Sequence, residues 1–290
     1  MSKLDEFESA FKSASKARYR LTPRHFETIL VITDLSEASG SRFTEDVKDF
    51  LSVIADGGPG AAPEWTHHTT GSGEDVVSLL EVVERVRPDL ICTYRNLHGR
   101  ARAQPFSLGS HVDVLTQATT TPVMLLPFPA EGSQRLAESC KKTNNVMVLT
   151  DHLTGSDDLI DHGVRFTEHG GTLVLVHLED DAIFERYMSV IGKIPALDTE
   201  VARDRIAAQL QKEPADYIAS VVETLSAALG HLTVVSRVRM GHRVRDCATL
   251  IEDHAAALVV MNTKDEDQLA MHGLAYPLAV ELRDTPLLLL

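Results

Sequence analysis

An apolar run that ends in aspartate occurs twice in this chain, as Ile29-Leu30-Val31-Ile32-Thr33-Asp34 and as Val146-Met147-Val148-Leu149-Thr150-Asp151. Each run opens an alternation of short apolar segments and helically spaced ones. Each alternation closes on Thr-Pro and a last apolar run, Thr121 to Leu126 and Thr285 to Leu290. Two copies of one strand–helix array account for this better than a single continuous domain. Regular alternation of strand and helix implies a mostly parallel, doubly wound sheet. At 290 residues the chain accommodates two such units of about 145 each. The expectation is therefore an α/β protein with two tandem, Rossmann-like sheets.

Residues 1–27 precede the first array and carry Leu4, Phe7, Phe11 and Ala14 at helical spacing, which predicts an amphipathic helix. Residues 28–129 form the first unit, 130–144 a linker with Gly132 and Ser133, and 145–290 the second unit. In the first unit, strands are expected at about 29–33, 65–70, 90–94 and 123–126. Gly57-Gly58-Pro59-Gly60 breaks the chain between the first helix and the second strand. Only one helix and one strand fit between Asp34 and Glu74, so this unit is short by about one βα step, and the leading helix is expected to cover the exposed side. The second unit predicts five strands, near 146–150, 172–178, 232–238, 257–261 and 287–290. Its helical stretch from Asp180 to Leu229 should be interrupted at Pro195 and Pro214. Val123–Leu126 and Leu287–Leu290 are short and wholly apolar. Pairing them with each other would protect two vulnerable edges and make a pseudo-twofold within one chain.

The chemistry concentrates between Asp89 and Pro127. Leu90 to Tyr94 is strand-like and tips into a loop with Asn96, His98, Gly99 and Arg100; Gly109-Ser110 then opens a helix. A glycine lets the backbone approach a ligand closely, and the free N–H groups of a helix amino terminus favour an anion. Loops at the carboxyl ends of strands are where open α/β sheets bind ligands.

This stretch resembles the nucleotide signature of the universal stress protein family, which runs Gly, two residues, Gly, nine residues, Gly, then Ser or Thr. Gly99, Gly109 and Ser110 match it, with His98-Gly99-Arg100 before the nine-residue gap; Asn96 replaces the first glycine. Ile29 to Ser39 resembles the family's first strand and its aspartate. The resemblance implies an adenine nucleotide alpha hydrolase-like fold and ATP, carried with Mg²⁺, in the first unit. There Thr33 and Asp34 would lie near the adenosine, Asn96, His98, Gly99 and Arg100 near the ribose and phosphates, and Gly109-Ser110 under the phosphates. Arg102 adds positive charge. In the second unit Asn262 falls opposite Asn96 and Gly273 opposite Gly109, but Leu274 replaces Ser110. The loop Thr263 to Gln268 lacks glycine and carries three carboxylates, which repel a triphosphate. Nucleotide is expected in the first unit alone.

A net charge of −14 argues against nucleic acid, whose non-specific affinity comes from Lys and Arg. No apolar run reaches membrane-spanning length and no signal peptide is read. Three dispersed cysteines, Cys92, Cys140 and Cys247, suit a reducing cytoplasm. His67-His68, His111 with Asp113, and His152 form no compact metal set. Arg237, Arg239, Arg243 and Arg245 read as a solvated basic face. No catalytic residue is assigned: there is no Gly-Lys-Ser/Thr phosphate loop and no demonstrable Ser–His–Asp set. The leading expectation is a cytoplasmic tandem universal stress protein, a regulatory module with an unidentified protein partner, an intrachain pseudo-dimer that could pair further. A scaffold of the same fold without nucleotide is the alternative, and a slow ATP hydrolase the third.

Overall fold

The computed structural model describes residues 18–55, 62–71, 74–98, 106–130, 132–150, 157–194, 199–263 and 274–290. The first half runs β1 (Thr28–Thr33), α1 (Glu37–Phe50), a 3-10 turn (Ser52–Ile54), β2 (Glu64–Thr69), α2 (Val76–Val86), β3 (Leu90–Tyr94), α3 (Ser110–Ala118) and β4 (Val123–Leu126). The second runs β5 (Asn145–Thr150), α4 (Asp157–Phe166), β6 (Thr172–Asp180), α5 (Asp181–Ile191), α6 (Thr199–Ala228), β7 (Thr233–Gly241), α7 (Arg243–Asp253), β8 (Leu258–Met261), α8 (Ala275–Glu281) and β9 (Leu287–Leu289). The central strands read as continuous apolar runs because helices cover both of their faces; β3 and β4 are buried at every residue.

The expected two sheets are one. The strands form a single nine-stranded sheet ordered β2-β1-β3-β4-β9-β8-β5-β6-β7, over one contiguous apolar core. The join is the antiparallel pair β4–β9, in which Val123, Met124 and Leu125 face Leu289, Leu288 and Leu287. All other strand pairs are parallel. The physical reason lies in the two apolar edges. Left open, each would expose unpaired N–H and C=O groups beside leucines, and pairing removes both liabilities at once. Once paired, their hydrogen-bond ladder makes the two sheets continuous. The halves repeat one order about this join, with four strands in the first and five in the second.

One further expectation changes. The helical stretch does not break at Pro214, which is buried within the 30-residue helix α6. A proline forgoes one N–H bond and crowds the carbonyl four residues upstream. Residues 199–213 contain no buried position, so that carbonyl can tilt toward solvent as α6 lands on the sheet. Pro195 lies outside the described residues, as does the apolar repeat at Leu4, Phe7, Phe11 and Ala14. The segment that follows that repeat, Arg18 to Phe26, is described. It is non-helical and lies on the second half: the Tyr19 hydroxyl donates to Asp161 Oδ1 at 2.6 Å, the Thr22 N–H to the same atom at 3.2 Å, and Phe26 packs on Phe166. Arg165 of α4 returns the contact by donating to the carbonyls of Val53 and Ile54. Among the described residues no helix is long and apolar enough to cross a membrane.

Candidate functional site

The strand order reverses direction between β1 and β3 in the first half, and loops diverge there at the carboxyl ends of the strands. Thr33 ends β1 with no solvent exposure. Its hydroxyl lies 2.9 Å from His67 Nε2 on the neighbouring strand, and its carbonyl accepts from the N–H and the hydroxyl of Thr70. His67 sits against the face of α1 at Gly40, where a side chain would collide with the ring. Burial, followed by the charge of His68, holds the His67 imidazole below its usual range. His68 in turn lies 2.9 Å from Glu74.

Asp34 does not point at an open cleft. Its Oδ1 accepts from the Tyr94 hydroxyl, its Oδ2 accepts from the His98 N–H at 2.7 Å, and its own N–H donates to the Tyr94 oxygen at 3.1 Å. Burial, and then the bond to Asp34, raises the Tyr94 phenol well above its usual range, so it stays a donor. Asp34 thus fixes the loop after β3 from across the strand boundary. Asn96 and His98 in that loop both have a φ of 57°, a left-handed conformation that asparagine tolerates better than most residues. The Thr70 hydroxyl spends its proton on the Thr33 carbonyl and therefore accepts from His98 Nε2, 2.6 Å away.

Gly109 caps α3 with φ 92° and ψ 146°, and no side chain caps the helix. A Cβ at that position would stand 2.9 Å from Asn96 Cα, and the Asn96 N–H donates to the Leu108 carbonyl at 2.7 Å. Glycine is needed here for the left-handed turn and for close passage of the Asn96 loop. Ser110, the first helical residue, is exposed at the rim. Gly99 and Arg100 lie outside the described residues, as do Arg102 and His152. Thr33, Asp34, Asn96, His98, Gly109 and Ser110 therefore do gather at one rim. Three neighbours not foreseen as part of it, Tyr94, Thr70 and His111, complete its hydrogen bonding and its walls.

At the corresponding rim of the second half, Leu274 precedes α8 with an ordinary right-handed φ of −80°. It lines a small cleft, about 200 Å³ including its open mouth, with Leu149, Met261, Asn262 and Ala275. That lining is largely apolar where the first half presents Gly109 and Ser110. Gly273 and most of the acidic loop lie outside the described residues.

No family model matches the chain, and no curated protein matches it. Solved structures do. The chain is similar to a functionally unknown protein from Pseudomonas aeruginosa, at 11% identity over 91% of this chain and 92% of that one, with a TM-score of 0.51. Over similar lengths it also matches a universal stress protein from Archaeoglobus fulgidus, at 13% identity over 90% and 95% of the two chains with a TM-score of 0.49. A candidate universal stress protein from another P. aeruginosa strain matches at 10% identity over 91% and 93%, also at 0.49. At such identities the first of these shows a shared fold that extends over both halves.

Proposed function

We propose that this chain is a tandem module of the universal stress protein type that binds one adenine nucleotide at the first-half rim. In this reading it works in the cytoplasm through conformation and protein partners, without turnover. The observation that supports it most is the uncapped amino terminus of α3, presented by Gly109 at φ 92° where the strand order reverses. Backbone N–H groups and the helix dipole there suit phosphate oxygens, and the Ser110 hydroxyl adds a donor. The ribose and base would lie toward Thr33 and the loop of Asn96 and His98. Mg²⁺ would be carried by phosphate oxygens and water, because both Asp34 oxygens are already engaged.

That engagement also favours the second reading, a scaffold of the same fold without nucleotide. Calorimetry with ATP, with and without Mg²⁺, separates the two. One site per chain is expected, and Ser110→Leu should weaken it about ten- to hundredfold, the value of a lost hydrogen bond to a charged oxygen. No heat from the wild type would leave the scaffold reading standing. Steady-state phosphate release above background would contradict the absence of turnover.

A further inference from the structure

Among the described residues, three side chains at the amino-terminal turn of α3 and the loop beside it carry buried polar atoms without partners: Asn96, His111 and, on the carboxylate, Asp113. Asn96 is 4% exposed and its Oδ1 has no hydrogen bond; His111 is 9% exposed and neither ring nitrogen has one. Buried groups of this kind are costly and uncommon, and each calls for a partner, whether a bound ligand or ordered water. Asn96 and His111 both stand beside the amino terminus of α3, at the first-half rim. Asn96 Oδ1 lies 3.4 Å from the point where a side chain on Gly109 would begin, and His111 stands in the first turn of α3. The His98 ring leans over His111 with the ring centres 5.4 Å apart, and is itself held by Thr70. Asn96 stands where the signature has its first glycine and His111 follows the signature's last residue, so this polarity is not what the glycine signature supplies.

We propose that Asn96 and His111 make this rim selective for a phosphate group that carries a proton, that is, a monoester terminus or hydrogen phosphate, over a fully deprotonated oxyanion such as sulfate. A neutral imidazole offers one N–H and one lone pair, and the amide oxygen offers only lone pairs. A ligand that satisfies the set must both accept and donate. The helix N–H groups and the imidazole N–H take the unprotonated oxygens of a phosphate, while the P–OH donates to a lone pair. Sulfate at neutral pH has no proton to give, and its binding would leave buried lone pairs facing its oxygens. Sites built around a ligand's hydrogen-bond donor reject analogues that lack it for this reason. The inference rests on the reading of this rim as a phosphate site, but not on the adenosine.

The test uses the full chain with inorganic phosphate, sulfate and ATP as separate probes, followed by calorimetry and by the histidine ring signals in NMR. Phosphate should shift the His111 signals and bind at least about tenfold more tightly than sulfate. His111→Leu should lose phosphate binding without a fall in Tm, because an apolar side chain relieves two unsatisfied buried nitrogens; a merely structural histidine would lower Tm instead. Asn96→Gly fits the left-handed backbone and should narrow the preference for phosphate over sulfate. It carries the test if His111→Leu does not fold. Equal binding of sulfate and phosphate overturns the inference, as does phosphate binding that neither substitution changes. If the wild type binds ATP but not phosphate, the inference falls and the nucleotide reading stands. If phosphate moves His111 while ATP binds no better, the inference stands and the nucleotide reading falls.

Discussion

Arg95 of the first half donates through its guanidinium to the main-chain carbonyl of Ala279 in the second. The same group reaches the carbonyl of Leu282 and, at 3.4 Å, that of Val280. These oxygens end α8, where a helix leaves carbonyls without intrahelical partners and favours a cation. Burial, and then the charge of Arg283, draws the Arg95 guanidinium down to about 10, which leaves it cationic at neutral pH. Arg95→Met should therefore destabilise the chain by about 2–4 kcal/mol, the combined effect of lost charge-assisted bonds and stranded carbonyls. Chemical denaturation measures it. A loss under about 0.5 kcal/mol, the size of an ordinary surface change, would show that water replaces the arginine there.

Gly40 sits inside α1, where alanine would ordinarily be the better helix former by about 1 kcal/mol. A methyl group at that position falls 2.5 Å from His67 Nε2 and 3.0 Å from Thr33 Oγ1, inside the bond those two groups share. Gly40→Ala should cost about 1–3 kcal/mol through overpacking. In a His67→Ala background the sign should reverse, so a double-mutant cycle reads the coupling directly. Additive effects would place His67 elsewhere.

Asp161 and Asp46 should respond to pH in opposite senses. Burial lifts the Asp161 carboxyl above its usual range, against the bonds from Tyr19 and the Thr22 N–H. A raised carboxyl favours the folded state most at low pH, and that contribution is lost as pH rises through the folded-state pKa. Asp161→Asn keeps an acceptor for both donors, so its stability relative to wild type should improve as pH rises from the ordinary carboxylate pKa through the raised folded-state one. Asp46 is also opposed by burial, but Arg135 and the Leu136 N–H bring it below the usual range. Asp46→Asn should lose stability at neutral pH, and the deficit should shrink as pH falls through the folded-state pKa. Denaturation midpoints of the two variants that move in parallel with pH would contradict this assignment.

A fragment of residues 1–130 ends just beyond β4 and exposes the edge that β9 covers in the whole chain. Met124 and Leu125, fully buried there, would face water beside open backbone groups. The fragment should self-associate or aggregate in light scattering, and a soluble monomer at high concentration would show that the edge tolerates exposure.

Much of this architecture is legible in the amino-acid order, because strands buried on both faces announce themselves as runs such as Val146 to Leu149. The apolar pair Val123–Leu126 and Leu287–Leu290 even predicts its own join. What the runs do not encode is that this join makes the sheet continuous, since periodicity is local and carries no strand direction. At the rim, the positions of Gly109 and Asn96 follow from their spacing. The use of Asp34 does not, because it depends on Tyr94, 60 residues away, ending the adjacent strand beside it. Arg95 has no signature either, as its partners are carbonyls that any residue supplies. His111 leaves a trace: it precedes Leu115 by four and so falls on the buried face of α3, an odd place for an imidazole.

Because β4 and β9 run antiparallel, the strands of the two halves point in opposite directions. The rim around Gly109 and the cleft beside Leu274 therefore open at opposite poles of the molecule, with the sheet between them. Helix α8 spans part of that distance, gripped by Arg95 at one end and lining the cleft at the other. One pole can carry leucine where the other carries serine, and turn apolar, without moving a strand that the other pole depends on. Repeated halves arranged in this way are free to diverge at their rims, each independently of the other.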